Sequence, residues 1–419
     1  MNLSENSLPP GDPGVLIIGG GLVGASLAIA LDAAGIAATL VEAAAPRVEA
    51  QPSHDQRNLA LARASVNGLS AIGVWPHAAA RATPIRHIHV SRAGEFGSAR
   101  IDAEMHGVDA LGWTLPAHEL GAALLRRLDD CTRLTRLAPA TLEQIEPLAA
   151  GWRAQVRTAD GVRSIDAALL VGADGSDSRV RAQLGIGAER HDYRQTLFVC
   201  TVRPEREHAG RAWERFADDG PIALLPLAER RCGLVLTVPT ADADAVAALD
   251  DAGFLALAQR RFGWRLGRLG QPGRRHPYAI QRVAASALTA PHAVLVGNAA
   301  QTVHPIGAQG FNLGLRDALT LAELLAELLA DAAASGAGDP GAATLLARYA
   351  ARRTPDREGT MTMSHGLVRL ACLPQPLLAP LRSLTLLACD RVPPLRRALA
   401  TRGMGFRGEP PRAVLERQP

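Results

Sequence analysis

The sequence predicts an α/β protein with a second domain of antiparallel sheet and a helical C-terminal region. An apolar strand, a glycine cluster and a small-residue helix follow one another in VLIIGGGLVGASLAIAL, residues 15–31. Two strands further along also end in glycine-bearing turns, as in sheets that bind a ligand at their strand ends. Short alternating apolar runs separated by Gly and Pro, mainly between 190 and 285, are typical of antiparallel strands.

Composition indicates a folded, multidomain protein and excludes several classes of function. The chain has 419 residues, 47% hydrophobic and 21% charged, which is globular and long enough for more than one core. All 45 basic residues are arginines, so Schiff-base and lysine-nucleophile chemistry are excluded. The net charge of +4 is spread along the chain, unlike a nucleic-acid-binding surface. Five scattered cysteines without CxxC spacing predict neither a disulfide framework nor a metal site.

The N-terminal stretch and the apolar runs predict a cytoplasmic protein. The N-terminal stretch MNLSENSLPPGDPG is polar and lacks the pattern of a signal peptide. No uncharged apolar run reaches the roughly 18 residues that a membrane span needs.

The first element is a strand followed by a glycine turn and a helix. Residues 15–18 are apolar on both faces, as in a buried parallel strand. Gly19, Gly21 and Gly24 fit GxGxxG directly before a helical pattern from Leu22 to about residue 34, and Val23 belongs to the same cradle. The first glycine makes the turn, the second admits a pyrophosphate and the third lets helix and strand pack closely. This is a Rossmann-like pattern.

An acidic residue follows at the distance expected for dinucleotide binding. The second strand, ATLVE, ends in Glu42, 18 positions after Gly24, where a carboxylate accepts hydrogen bonds from ribose hydroxyls. A glycine turn alone occurs in many α/β proteins, but strand, helix and acid together favour a dinucleotide. Glu42 disfavours a 2′-phosphate through like-charge repulsion, so NADP is the least favoured occupant.

Two later stretches repeat the pattern of a strand that ends in a glycine turn. The strand 167–171 runs into Asp174 and Gly175, and the strand 293–296 into Gly297 and Asn298. A loop then leads to a long helix that opens with the segment 309–312. Three such turns in one chain make sense around a single extended cofactor that crosses the sheet.

In this pattern the sequence resembles the flavoprotein aromatic hydroxylases of the para-hydroxybenzoate hydroxylase type, over nearly its whole length. The resemblance implies an ADP site at the first turn, an arginine near the pyrophosphate in DQRNLAL, a DG motif, a ribityl-binding turn, and a P-x-x-G-Q-G-x-N-like segment at the flavin pyrimidine. The residues it assigns to FAD are Gly19, Gly21, Leu22, Val23, Gly24, Glu42, Arg57, Asp174, Gly175, Gly297, Asn298, Pro305, Gln309, Gly310, Phe311 and Asn312.

Three positions depart from that family pattern. Asn298 replaces an aspartate, Gln301 a histidine and Ala308 a glycine. The amide oxygen of Asn298 still offers an acceptor to a ribityl hydroxyl. The combination GNAAQTVHP…QGFNLGLRDA resembles the ubiquinone-biosynthesis branch and, within it, the 2-polyprenyl-6-methoxyphenol hydroxylases.

The resemblance implies hydroxylation of a polyprenylated methoxyphenol by non-covalently bound FAD, with NAD(P)H and O₂, through a flavin C4a-hydroperoxide. Only one dinucleotide cradle is present, so NAD(P)H is expected as a transient co-substrate. His304, beside the flavin loop, is a catalytic candidate, although a structural histidine is the commoner case. Asp317 is expected to be a helix-surface or capping acid. The apolar substrate predicts peripheral contact with the inner membrane, through residues 366–392, or an assembly with soluble ubiquinone-biosynthesis partners.

Alternatives remain open from the sequence. Asn298 and Gln301 motivate an FAD-binding scaffold without catalysis, and another ubiquinone-pathway ring position or another phenol is a further alternative. A flavin dehydrogenase or a halogenase with the same ADP motif is a second alternative, but a tryptophan halogenase would need a lysine, which this chain lacks. The predicted division is an FAD-binding domain (13–75, 110–187 and 288–330), a substrate domain (76–109 and 188–287) and a C-terminal helical region (340–419).

Overall fold

A computed structural model describes residues 14–45, 57–335, 338–372 and 379–415. Three predicted regions extend beyond the described residues: the FAD-binding domain at residues 13 and 46–56, the membrane-contacting segment at 373–378, and the C-terminal helical region at 373–378 and 416–419. The strands are β1 Val15–Ile18, β2 Ala38–Val41, β3 Asn58–Ala62, β4 Thr83–Ile85, β5 His87–Arg92, β6 Ser98–Asp102, β7 Gly112–Pro116, β8 Leu134–Leu137, β9 Ala140–Leu148, β10 Gly151–Thr158, β11 Gly161–Ala167, β12 Leu169–Gly172, β13 Ala188–Pro204, β14 Arg211–Phe216, β15 Ile222–Pro226, β16 Cys232–Pro239, β17 Leu269–Gly270, β18 His276–Ala285, β19 Thr289–Ala290, β20 Ala293–Leu295 and β21 Gln301–Thr302. The α-helices are α1 Leu22–Ala33, α2 Arg63–Ala71, α3 Trp75–Ala78, α4 Ala117–Asp129, α5 Arg179–Gln183, α6 Ala243–Ala247, α7 Asp251–Phe262, α8 Gln309–Ser335, α9 Ala343–Cys372, α10 Ala379–Arg391 and α11 Pro393–Gly403.

A six-stranded sheet carries the first glycine turn at its centre. Its order is β19-β20-β12-β1-β2-β8, and all neighbours are parallel except the β19–β20 pair. All four residues of β1 are buried, because α1 and the antiparallel strands β9 and β10 pack against the sheet and exclude water from it. The carboxyl ends of β1, β2, β12 and β20 therefore meet at one edge, which is where the glycine turns lie.

The local predictions around this edge are confirmed, with one shift of boundaries. β1 and α1 lie where the pattern placed them. The single strand expected over 167–171 is instead split: β11 ends at Ala167 and β12 begins at Leu169. The division arises because β11 pairs with β10 in a hairpin, whereas β12 pairs with β1.

A nine-stranded sheet forms the second layer. Its order is β21-β18-β13-β16-β15-β14-β5-β6, with β17 added against β13. The pairs are antiparallel as predicted, except that β14 and β5 run parallel, which is possible because they come from two distant segments of the chain. One face packs Phe198 and Trp213 against Phe254 and Phe262 of α7. The opposite face, formed by the alternate residues of the same strands, faces a cavity.

The C-terminal region is helical, and prolines mark two of its helix starts. α10 begins beside Pro380, and α11 begins at Pro393 and Pro394, where the missing N–H costs no hydrogen bond. By contrast, α9 continues through Pro355. Among the helices in the four described ranges, none combines the length and the apolar character that a bilayer crossing requires.

Candidate functional site

The glycine turn after β1 brings backbone close to backbone, as its spacing predicted. Gly19 has φ +105°, and a side chain there would lie 2.5 Å from the carbonyl oxygen of Ala173. A Cβ on Gly24 would lie 1.9 Å from the carbonyl oxygen of Gly19, so Gly24 permits the close packing of helix and strand. Gly21 is the N-cap of α1 without a side-chain cap, which leaves the first N–H groups of the helix available to an anion.

Glu42 is fixed at the end of β2 by two backbone donors. Its Oε2 accepts from the Gly20 N–H at 2.5 Å and its Oε1 from the Ala44 N–H at 2.7 Å. Each carboxylate oxygen has a second lone pair, and the side chain lines the same cavity as Gly19, Gly21, Leu22 and Val23. Glu42 is therefore oriented to accept hydrogen bonds from a ligand at the glycine turn.

Asp174 and Gly175 also line this cavity, but the carboxylate of Asp174 holds protein groups. It accepts from the Ser178 hydroxyl and from the N–H groups of Arg179 at 2.7 Å and Val180 at 3.1 Å. These bonds cap α5 and fix the turn in which Gly175 has φ +87°.

Arg57 is the first described residue after the gap at residues 46–56. It is exposed and lines the cavity, with its guanidinium 5.2 Å from the ring centroid of Tyr278. The ring holds the cation at the cavity wall through its electron-rich face.

The turn at Gly297 and Asn298 depends on Asp317, which sequence reasoning placed wrongly. Asp317 is 2% exposed and is not a helix-surface or capping acid. Its Oδ2 accepts from the Gly297 N–H at 3.2 Å and from Gln301 Nε2 at 2.6 Å, and its Oδ1 accepts from Arg353 Nε at 2.7 Å. The buried carboxylate thus supports the turn that presents Asn298 to the cavity.

The segment 305–312 divides into residues that line the cavity and residues that support it. Pro305, Gly310 and Phe311 line it, as does Ala308 at φ +51°. Gln309 and Asn312 are buried behind this surface. Gln309 Nε2 donates to the Gly307 carbonyl at 3.0 Å.

Asn312 fastens the start of α8 to β3. Its Oδ1 accepts from the Ala62 N–H at 2.8 Å and the Ser65 hydroxyl at 2.6 Å. Its Nδ2 donates to the carbonyls of Ala60 at 2.9 Å and Ala308 at 2.7 Å. With four bonds to protein, the side chain positions the N-terminus of α8, whose free N–H groups Gly310 and Phe311 bring to the cavity.

Beyond this helix end the cavity opens onto the inner face of the nine-stranded sheet. Most side chains there are apolar, and several come from neighbouring strands in register: Val199, Val235 and Ala223 form one row across β13, β16 and β15. The apolar residues lining this chamber include Ile85, Ile88, Leu197, Val199, Ala212, Ala223, Leu225 and Val235. The period-2 pattern predicted these strands, but it could not indicate which face would meet the cofactor end of the cavity.

His304 lies in this chamber and both of its ring nitrogens are engaged. Nε2 meets Gln195 Oε1 at 3.1 Å, and Nδ1 accepts from the Ile306 N–H at 3.1 Å. Burial, with a smaller effect from His365, lowers the pKa of His304 to about 4, so the ring is neutral at pH 7. The ring of Tyr193 packs edge-on against it at 4.7 Å. This geometry suits positioning of the 305–308 loop better than proton transfer.

Glu214 was missed by sequence reasoning. It lies on β14 and lines the chamber, and burial raises the pKa of its carboxyl to about 8. The only signal in the sequence was a charged residue at an inward position of the strand, which is visible only once the register is known.

One continuous cavity of about 770 Å³ joins these parts, within the range typical of ligand sites. It runs from Glu42 and the α1 N-terminus, past the α8 N-terminus, to the apolar chamber. Helix N-termini suit a pyrophosphate and a reduced flavin ring, and a carboxylate suits a ribose. The residues therefore fit a flavin dinucleotide followed by an apolar ring substrate.

Comparisons with known proteins agree with this geometry. The family model described as FAD binding domain matches residues 12–363. The chain is 37% identical to ubiquinone hydroxylase UbiL of Rhodospirillum rubrum, covering 96% of this chain and 92% of that protein. It is 30% identical to 3-demethoxyubiquinol 3-hydroxylase of Escherichia coli, covering 94% and 98%. Among solved structures, p-nitrophenol 4-monooxygenase of Pseudomonas putida matches with a TM-score of 0.76 at 18% identity, covering 94% and 98%. A probable FAD-dependent monooxygenase of Pseudomonas aeruginosa matches with a TM-score of 0.72 at 25% identity, covering 89% and 99%.

Proposed function

The chain belongs to the FAD binding domain family, as an FAD-dependent aromatic monooxygenase related to the ubiquinone hydroxylases, and from this membership we propose that it hydroxylates the ring of a ubiquinone precursor. The observation that carries the proposal is the single cavity of about 770 Å³ that joins the dinucleotide turn to an apolar chamber. A scaffold that only bound FAD would have no use for the second half of that cavity.

The residues that would hold FAD fall into three groups. Gly19, Gly21, Leu22, Val23 and Glu42 would bind the ADP part, and Arg57, with Asp174 and Gly175, would lie near the pyrophosphate. Asn298, Pro305, Gly310 and Phe311 would contact the ribityl chain and the flavin ring. Gly24, Gly297, Gln309 and Asn312 would keep these contacts in place from behind. When bound, FAD supplies the transfer of electrons from NAD(P)H to O₂ that allows oxygen to enter an aromatic ring.

The chain's own residues contribute orientation and exclusion of water. The apolar side chains of the chamber would surround the substrate ring and its tail, so that water reaches the reacting centre less easily. Each buried methylene of a tail contributes about 0.8 kcal/mol to binding. Even one or two isoprene units should therefore bind measurably better than none.

The preferred substrate is a polyprenylated methoxyphenol. This choice rests on the sequence segment around Asn298 and Gln301 together with the apolar lining. A second candidate is a demethoxyquinol, favoured by the name of the Escherichia coli relative, which covers 94% of this chain. Both substrates carry a ring hydroxyl and an apolar tail, so the same chamber suits both.

The surface of the C-terminal region supports peripheral contact with a membrane that holds such a substrate. α10 packs on β6, where the Arg100 N–H donates to Asp390 at 2.9 Å. On the same helix Leu381 is 58% and Leu384 is 55% exposed. Exposed leucines on an arginine-containing helix suit an anionic membrane surface.

An assay with short-tailed substrates tests the proposed function. The FAD-loaded protein, NAD(P)H and O₂ are combined with 2-prenyl-6-methoxyphenol, with a prenylated demethoxyquinol, or with para-hydroxybenzoate. We expect hydroxylated product and faster NAD(P)H oxidation with the first, and neither with the benzoate. Product from the demethoxyquinol alone would move the assignment to the second candidate.

The same assay separates the alternatives that the sequence left open. NAD(P)H oxidation without any product from either prenylated ring would reject the assignment to ubiquinone precursors. A protein that binds FAD but oxidises no NAD(P)H with any of these compounds would support the scaffold alternative. Presenting the substrate in anionic vesicles instead of detergent should raise the rate if the C-terminal surface meets the membrane.

A further inference from the structure

A single carboxyl group interrupts the apolar face of the chamber. Glu214 on β14 lies in register between Ala223 of β15 and Val90 of β5. The row continues from Ala223 through Val235 to Val199. The other acidic residues that line the cavity are Glu42, Asp174 and Asp177, and these belong to the strand ends and turns of the dinucleotide part.

The side chain of Glu214 has no partner in the described part of the chain, neither a hydrogen bond nor an ion pair. Glu214 is partly exposed to the cavity, and a carboxyl withdrawn from bulk water without a hydrogen-bond partner costs free energy. Such a group destabilises the fold unless a ligand supplies the missing partner, and the position of Glu214 on the cavity wall makes that possible.

The charged neighbours of Glu214 do not neutralise it. His89 and Arg215 occupy alternate positions of β5 and β14, on the opposite face of the sheet. Arg92 lies on the same face, two residues further along β5, and is held in ion pairs with Glu95 and Asp218. Across the chamber His304 is neutral. Desolvation is accordingly the cause that raises the pKa of Glu214 to about 8.

We propose that Glu214 is a catalytic residue that binds the hydroxyl of the substrate ring and accepts its proton. This inference rests on the proposed function. In the step, the phenol O–H bond breaks, the proton moves to a carboxylate oxygen of Glu214, and the electron pair stays on the ring oxygen. No electron leaves the ring, so no oxidant is needed. The phenolate that results is richer in electrons and is attacked more readily by an electrophilic oxygen.

The proton affinities of the two groups are well matched. A phenol such as the tyrosine side chain has a pKa of about 10, which lies about two units above that of Glu214. An ordinary exposed carboxylate, near 4.3, would be about six units away. Proton transfer is most effective when the pKa of the catalytic group lies near the working pH.

The test compares Glu214→Gln with the wild-type holoenzyme and with Glu146→Gln as a matched control. Glu146 is exposed on β9, away from the cavity lining. The Glu214→Gln protein should retain FAD, lose about 10²-fold or more in kcat/KM for 2-prenyl-6-methoxyphenol, and release more peroxide per NAD(P)H oxidised. The acidic limb near pH 8 in the wild-type kcat/KM profile should disappear. Glu146→Gln should match the wild type in all four measurements.

Binding measurements keep this inference separate from the proposed function. The wild type should bind the phenol more tightly than its methyl ether, and this preference should be smaller in Glu214→Gln, whose amide oxygen accepts a hydrogen bond but cannot accept the proton. If the wild type hydroxylates the phenol but Glu214→Gln keeps its rate, pH profile and preference, Glu214 is not the base. If the wild type binds the phenol in this Glu214-dependent way but hydroxylates no ubiquinone precursor, the proposed function fails and the role of Glu214 stands. If the wild type binds neither the phenol nor its methyl ether, the proposed function and the role of Glu214 are both wrong.

A stability measurement shows whether the variant is folded. Because the pKa of Glu214 is raised from the usual 4.5 to about 8, ionisation penalises the folded state increasingly as pH rises through that window. Glu214→Gln should therefore have a higher Tm than the wild type at pH 9 and the same Tm at pH 4. An equal Tm at both values would mean that the carboxyl is solvated, which would overturn the inference.

Discussion

Replacing Asp317 by asparagine should destabilise the protein strongly, because it unbalances a buried cluster of charges. Arg316, Arg353 and Asp356 complete the cluster, and the four side chains are between 0% and 3% exposed. Two cations face two carboxylates, so the cluster is neutral. Asp317→Asn leaves these four buried side chains with a net charge of +1, and breaking a buried ion pair costs about 3–5 kcal/mol.

The lower end of that range applies here. Arg353 keeps its 2.8 Å bond from Nη2 to Asp356, and the asparagine oxygen still accepts one bond, so we expect a loss of about 3 kcal/mol. Unfolding entropies near 2.1 cal/mol/K per residue give ~0.9 kcal/mol/K for 419 residues. The Tm should then fall by about 3–4 °C. FAD should also bind more weakly, because the Gly297 N–H loses its charged acceptor.

Glu327→Gln on the same helix is the control for this prediction. Glu327 pairs with Arg348 at 2.8 Å and with Arg412 at 3.2 Å, and its side chain is 27% exposed. Ion pairs near the surface contribute at most about 1 kcal/mol. Scanning calorimetry of the two variants, with and without added FAD, makes the comparison. Equal Tm changes in Asp317→Asn and Glu327→Gln would refute the conclusion that the buried cluster of charges stabilises the fold.

Two further substitutions test the cofactor turn and the chamber. Glu42→Arg should raise the Kd for FAD at least about 10-fold, because it removes the acceptor for the ribose and for the Gly20 and Ala44 N–H groups. Glu42→Gln keeps one acceptor, so its affinity for FAD should fall less. Wild-type affinity in a flavin-fluorescence titration of Glu42→Arg would contradict this prediction. Burial lowers the pKa of His304 from 6.5 to about 4. Below pH 6.5 this histidine is therefore protonated in the unfolded chain but stays neutral in the folded chain. The free energy of unfolding should then fall by up to about 3 kcal/mol between pH 6.5 and pH 4. In His304→Gln this loss should be absent, and parallel Tm curves for the two proteins between pH 4 and 7 would show that the histidine is accessible to protons.

The cofactor half of the site could be predicted from the sequence because its geometry is local. Gly19, Gly24 and Glu42 belong to one β-α-β unit, in which spacing alone determines where the turn and the acid meet. Asp174 and Gly297 follow the same rule at neighbouring strand ends. The roles of individual side chains were harder to predict, since Asp174 and Asn312 use their hydrogen bonds to hold protein segments that lie behind or beside the cavity.

The substrate half could not be predicted in the same way, because its geometry depends on pairing between distant segments. Glu214 faces the cavity only because β14 pairs in register with β5, which comes from more than 120 positions earlier in the chain, and a slip of one residue would reverse its face. Asp317 looked like a surface acid because its partner Arg353 lies 36 positions away on another helix. Helical periodicity reports which side of a helix is apolar, but not that a charged partner is buried there.

The three departures from the flavoprotein pattern are compatible with catalysis when their surroundings are considered. Ala308 adopts φ +51°, the left-handed conformation that a glycine would take, at a strain of about 1–2 kcal/mol. Gln301 donates to Asp317 at 2.6 Å and so supports the turn before α8. Asn298 is presented to the cavity by that turn. Because cofactor contacts at helix N-termini come from backbone N–H groups, the shape of these turns matters more than the side chains they carry. The substitutions keep that shape, and they therefore give no reason to prefer a scaffold over an enzyme.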